Sequence, residues 1–270
     1  MDKILYKSLT TPLKLLFKVE VSEKTRFKED YTVKLFEIDI LPDETSFWSG
    51  HQNIEILRKP NLMNGLANND ADAFVQQVST ILHQLTLKLG FSGMPISIEK
   101  QNMLWLKWLT IRTNLVNSYT GDWIDFALNE IDKKMLPGQA LTKHIMEDLF
   151  FNEYFRGVYD VSFNYNTFNC KRLVYGLCPT PIRLNEKWLL QTSATGQSIT
   201  FTGECENLSG LTNSSNWFKT KTDNDITAIR VEGFYHIDQI TGWCNALESN
   251  YFLTANNDYE KTLKVMLTTN

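Results

Sequence analysis

Two alternating stretches open the pattern. Between Leu13 and Val21, apolar residues recur at every second position around Phe17, Val19 and Val21, the period of a strand with one buried face. The polar residues 22–30 are expected to turn the chain. Tyr31 to Ile40 alternates again and is rich in β-formers. Together they predict a long antiparallel hairpin over 13–40. Pro42 is expected to end its second strand, because proline donates no ladder hydrogen bond.

Residues 43–70 read as loop, with Ser49-Gly50 and Asn68-Asn69-Asp70 as turn and cap signals. The period then changes. Phe74, Val78, Ile81 and Leu82 share one face of a helix expected over 71–82. Residues 83–98 fit either a continued helix or a hairpin. The alternation of Leu85, Leu87 and Leu89, and of Ile96 and Ile98, around Phe91-Ser92-Gly93-Met94 favours the hairpin. A helix over 100–119 follows from Met103, Leu104, Trp108, Ile111 and Leu115, with Trp105 and Leu106 widening the stripe. A second is expected over 123–135, up to Pro137-Gly138, and a third over 142–155, with Gly157 beyond its end. Residues 71–155 thus form a mainly helical block.

From Tyr159 the texture returns to β. Strands are expected over 159–165, 171–176, 187–192, 198–206, 225–238, 243–254 and 260–267, separated by Gly, Asn and Pro. Strands on both sides of a helical block predict an α+β fold. One antiparallel sheet from the N- and C-terminal segments packs on the helices, and residues 159–268 form a β-meander. No repeat or linker divides the chain, so residues 1–270 are read as one domain.

Composition narrows the classes. The 270 residues are 43% hydrophobic, too apolar for a disordered chain, and seven Trp, ten Tyr and sixteen Phe supply a sizeable core. Net charge is −4 with both signs interspersed. Even the mildly basic 14–34 is broken by Glu20, Glu23, Glu29 and Asp30, which argues against a nucleic-acid partner. No run of apolar residues is long enough to span a bilayer. The start Met1-Asp2-Lys3-Ile4 opens no signal peptide, so a cytoplasmic location is expected, or the envelope if a leader has been removed. Cys170, Cys178, Cys205 and Cys244 form no C-x-x-C pair. They permit two disulfides, but read more simply as thiols.

Three stretches carry a resemblance. They are Gly93-x-Pro95-x-x-Ile98 before the Trp-bearing helix, Pro181-Ile182-x-Leu184-Asn185-Glu186-x-Trp188, and Gly233-Phe234-Tyr235-x-Ile237-Asp238-x-x-Thr241-Gly242-Trp243. Together they resemble uncharacterised β-rich proteins of the Bacteroidota, many of them exported lipoproteins. The resemblance implies a curved antiparallel sheet around central helices and no known activity. The third motif also has a direct physical reading: Asp238 can accept bonds from following amides, and Gly242 can close a hairpin.

Candidate chemistry is sparse. His144 and Asp148 at i, i+4, beside Glu147, have a metal-ligand spacing, but no third ligand is evident and an ion pair explains them. Asp122, Asp125, Glu130 and Asp132 could pair for acid–base work. In the first turn of a helix, Asp122 and Asp125 are better explained by its dipole. Cys205 and Cys244 could meet His236 on neighbouring strands, although strand cysteines usually fill cores. No catalytic residue, cofactor or metal is assigned. Phe47, Trp48, Trp217 and Phe218 lie in polar loops and are the candidate anchors for a protein partner. The resulting expectation is a non-enzymatic binding protein: an adaptor, chaperone or immunity factor of a bacterial secretion or toxin system. A carrier of an apolar ligand and a hydrolase are the alternatives.

Overall fold

A computed structural model describes residues 2–46, 50–60, 70–194, 196–208, 216–222, 225–256 and 258–270. Its strands are β1 (Asp2–Lys3), β2 (Leu13–Thr25), β3 (Glu29–Ser46), β4 (His51–Pro60), β5 (Gln84–Leu89), β6 (Pro95–Ile98), β7 (Ser162–Phe163), β8 (Thr167–Val174), β9 (Ile182–Ser193), β10 (Gly196–Glu204), β11 (Ala228–Asp238), β12 (Cys244–Ala255) and β13 (Tyr259–Thr269). The helices are α1 (Asp70–Ser79), α2 (Gln101–Ser118), α3 (Asp122–Met135), α4 (Gln139–Ile145), α5 (Leu149–Tyr154) and α6 (Asn216–Lys221). A 3₁₀ turn, Thr80–His83, follows α1.

Eleven strands make one antiparallel sheet in the order β6-β5-β4-β3-β2-β13-β12-β11-β10-β9-β8, and it is not closed. β1 and β7 pair separately. The two halves of the chain join where β13 lies beside β2, with Val265 opposite Val19. Along each strand, alternate residues are buried. Leu15, Phe17 and Val19 of β2 share a face with Leu263, Val265 and Leu267 of β13 and Leu247, Tyr251 and Leu253 of β12. Helices cover this face: α4 touches β6 and α5 touches β12. Phe150 of α5 packs edge-on against Phe17 at 5.3 Å between ring centres. Each fully buried aliphatic or aromatic side chain contributes roughly 1.5–3 kcal/mol.

The first hairpin is longer than its pattern suggests. β2 continues to Thr25 and β3 starts at Glu29, because cross-strand pairing carries the polar residues Ser22, Glu23 and Lys24. Pro42 does not end the strand. β3 passes through it with an irregular register between Pro42 and Thr45, the kind of place where a strand tolerates proline. The expected loop 43–70 contains β4, in which Gln52, Ile54 and Ile56 alternate inward. Residues 84–98 form the β5–β6 hairpin, with Gly93 at φ +67° in its turn.

The helix expected over 142–155 is two helices. The chain breaks at 146–148, and the Asp148 carboxylate accepts from the Phe150 amide at 3.0 Å to start α5. In α2, Leu104, Trp108 and Leu115 are buried, while Met103 and Leu106 face outward. In the β11–β12 turn, the Asp238 carboxylate accepts from the Thr241 amide at 2.7 Å and the Ile240 amide at 3.1 Å, and Gly242 sits at φ +72°. Trp243 donates its indole N–H to the Lys7 carbonyl at 2.8 Å, tying the N-terminal segment to this turn.

Candidate functional site

Four charged side chains meet under the β8–β12 end of the sheet. Alternation brings them there. Glu186 takes an inward position of β9 between Leu184 and Trp188, and Arg172 takes one of β8 next to Val174. Glu153 lies at the end of α5 and Arg156 three residues on. Ser249 and Tyr251 come from β12, the strand α5 packs on. All six are buried.

Their bonds are dense. Glu153 accepts from Ser249 Oγ and from Tyr251 Oη, both at 2.6 Å, and pairs closely with Arg172. Arg172 Nη1 reaches Tyr251 Oη at 2.7 Å and Glu186 Oε1 at 3.3 Å, and its Nη2 donates to Asn152 Oδ1 at 2.7 Å. Glu186 takes its other bond from the Trp188 indole at 2.8 Å. Arg156 lies 3.3 Å from Glu153 Oε2 and 3.9 Å from Glu186 Oε1, with its guanidinium 3.5 Å over the Phe201 ring. Two positive and two negative charges balance. The Arg156 Nη1, however, has no hydrogen-bond partner among the described residues. A buried donor left in that state costs about 1–3 kcal/mol.

The cluster fixes its own charges. Burial alone would raise the Glu153 pKa, but Arg172 and Arg156, with the Ser249 and Tyr251 hydroxyls, hold it down at about 2. Burial works to discharge Arg172, yet Glu153, Tyr251 and Glu186 keep it firmly protonated. Nearby Cys170 is pushed up to about 11 by burial and by Glu186, so it is a protonated thiol at neutral pH.

Two recesses open near this cluster. A cleft of about 480 Å³ between the α4–α5 segment and strands β8 and β9 is lined by Lys143, Arg156, Lys171, Arg172 and Arg183. A larger one, about 1240 Å³, lies mainly on the opposite face of β8–β12, where Lys187, Glu204, Arg230 and Glu232 mix both signs. On α2 the exposed side carries Met103, Leu106, Leu109 and Val116, with Met103 66% and Leu106 56% exposed.

The residues singled out in the sequence are dispersed. Asp148 caps α5 and pairs with Arg58 at 3.0 Å. His144 lies 3.6 Å from Glu147, which sits within the break, so the i, i+4 spacing does not present His144 and Asp148 on one helical face. No group of three or more His, Cys, Asp or Glu among the described residues could hold a metal ion. Asp122 and Asp125 occupy the first turn of α3. Asp132 accepts from the Trp108 indole at 2.7 Å and pairs with Arg112 at 3.0 Å, while Glu130 pairs with Lys133. His236 bonds Ser198 through Nδ1 at 2.7 Å, on the face opposite buried Cys244, so no Cys–His dyad forms there. All four cysteines are unpaired thiols.

Trp217 lies half-buried against the core, edge-on to Tyr259 at 6.2 Å and near Lys221 and Lys261. Phe47 and Trp48 lie outside the described residues, as does the Phe218 side chain. Sequence reasoning missed the charge cluster. Its signal was the placement of Arg172 and Glu186 at inward positions between apolar neighbours.

No known protein family matches the chain, and no curated protein does. Among solved structures, one titled for lipid–protein interactions in lipovitellin aligns with 97% of this chain and 25% of its own, at 9% identity and a TM-score of 0.48. The chain therefore spans about a quarter of that protein's length. Agreement at that level carries nothing to this chain's function.

Proposed function

We propose that this chain is a non-enzymatic binding protein that holds a protein partner on the outer side of α2. The supporting observation is that α2 is apolar on both sides. Leu104, Trp108 and Leu115 face the core, and Met103, Leu106, Leu109 and Val116 face out. Large apolar side chains on the inner and outer sides of one helix are ordinarily covered on both. Exposed side chains of this size in a row mark protein contact surfaces. Trp123 and Phe126 of α3 are exposed as well.

Support for a non-enzymatic role comes from the groups weighed for catalysis, which are engaged separately from one another in capping, pairing and packing. The apolar-carrier alternative would need room between α5 and the sheet, where Phe150, Phe151, Tyr154 and Tyr235 are packed. A place in a bacterial secretion or toxin system, as adaptor, chaperone or immunity factor, belongs to the same proposal and rests on the three motif resemblances alone.

The test places a photo-crosslinking residue at Leu106 and, as a control, at Lys14, which is exposed on β2. In the native host, Leu106 is expected to yield a discrete adduct with one partner protein. Leu106→Asp should abolish its capture while shifting stability by less than about 0.5 kcal/mol. Equal adducts at both positions, or capture that survives Leu106→Asp, would overturn the reading. A concentration-dependent dimer lost in Leu106→Asp would identify a second copy as the occupant instead.

A further inference from the structure

The cleft between the α4–α5 segment and β8–β9 has a charge balance that the buried cluster behind it does not share. Its lining includes Lys143, Arg156, Lys171, Arg172 and Arg183, with the Asn152 amide beside them, and no carboxylate. Glu153 and Glu186 neutralise Arg156 and Arg172 from behind. Lys143, Lys171 and Arg183 remain at the mouth, where they make no ion pair among the described residues. The Glu147 carboxylate, whose charge is felt at Tyr175 on the rim, is turned to His144.

We propose that this cleft is a binding site for a small molecule bearing a doubly charged phosphate group. Three features carry the assignment. The floor is preorganised, since Arg172 is held by Glu153, Glu186, Tyr251 and Asn152, and the Arg156 guanidinium carbon sits 3.5 Å over the Phe201 ring centre. Both Arg172 Nη atoms are taken by Glu186, Tyr251, Asn152 and Glu153, so this guanidinium offers the cleft a fixed positive charge rather than open donors. Arg156 keeps a buried donor, Nη1, without a partner among the described residues, an unsatisfied valence next to the cleft. The three cations at the mouth have free side chains that can close on a dianion from several directions, and a singly charged carboxylate would leave most of that charge unanswered. The volume, about 480 Å³, suits a small molecule.

Titration calorimetry of the full chain with inorganic pyrophosphate at low salt tests this, with citrate as the carboxylate control. Pyrophosphate is expected to bind, and to bind more weakly as salt is raised. The double variant Lys171→Glu with Arg183→Glu changes only exposed side chains, so its melting temperature should match the parent while its affinity falls at least about tenfold. No heat with pyrophosphate at low salt would overturn the site. So would affinity unchanged in a double variant whose melting temperature is normal. Citrate binding as tightly as pyrophosphate would overturn the phosphate assignment. Should the double variant fail to fold, the single Lys143→Glu, on a different element, decides: undiminished binding there would also count against the site.

Discussion

At the β3–β5 end of the covered sheet face, the inward positions hold Ile38, Ile40, Ile54, Ile56, Leu85 and Leu87. At the β8–β12 end, the equivalent positions include Arg172, Glu186, Ser249 and Tyr251. Both ends obey the same alternation, and both exclude water. The aliphatic end gains stability from burial and dispersion alone, and a slightly misplaced methyl group is tolerated. The charged end gains little net stability from its ion pairs, because desolvation cancels most of the attraction. What it gains is fixed geometry, since each oxygen of Glu153 and Glu186 has at least one partner, and so does every Nη atom of the two arginines except Arg156 Nη1. An aliphatic end needs no cleft nearby. The charged end has one, walled by the same two arginines.

The largest effect separating the two ends should come from breaking the cluster. Arg172→Met leaves Glu153 and Glu186 buried with only Arg156 opposite, and should cost about 3–5 kcal/mol in urea unfolding. Adding Glu153→Leu should recover part of that loss, since it removes a stranded charge. If the double variant is less stable than the sum of the single changes, the cluster is not an electrostatic unit.

Acid should come next. The Glu153 carboxyl is held below its unfolded value, so its stabilisation is complete above about pH 4.5 and is lost as pH falls toward about 2. The loss is on the order of 3 kcal/mol. Hydrogen exchange followed from pH 5 to pH 2.5 should show amides of β8 and β9 losing protection before those of β4 and β5. Simultaneous loss would mean that the two ends open as one unit.

A smaller change probes the aliphatic end. Ile56→Val removes one methylene from a fully buried position and should lower stability by about 0.5–1.5 kcal/mol, without altering exchange at β8. The smallest effect is expected where neither end is involved. Asp238→Asn in the β11–β12 turn keeps a side-chain oxygen that can accept from the Ile240 and Thr241 amides, and should cost less than about 0.5 kcal/mol by thermal melting. A loss several times larger would show that the carboxylate charge, and not the turn geometry, is what holds Asp238 there.

Much of this was legible in the letters. The alternation of Leu85, Leu87 and Leu89 reads directly as β5, and Asp238 with Gly242 reads directly as a turn, because both signals are local. The pattern at Gln52, Ile54 and Ile56 was equally plain, but Gly and Asn on either side drew those residues into a loop. The break at Asp148 was hidden by apolar residues that continue the helical period across it; the capping bond to Phe150 overrides that period. Met103 and Leu106 fit the helical stripe of α2, yet they face outward, since periodicity cannot say how much of an apolar helix the neighbours cover.

The sequence by itself determined most of the strands and helices and their apolar sides, since those follow from contacts between near neighbours; β4 and the break at Asp148 are among the exceptions. It left the charge cluster unmarked, since the strand expected over 187–192 stops short of Glu186, which lies inside β9. Only the tertiary structure decided that β13 lies against β2, which brings chain ends more than 200 residues apart into register. It alone set α5 on β12, so that Glu153 and Arg156 meet charges of opposite sign. Such pairings depend on which distant surfaces bury one another, and no local pattern encodes that choice.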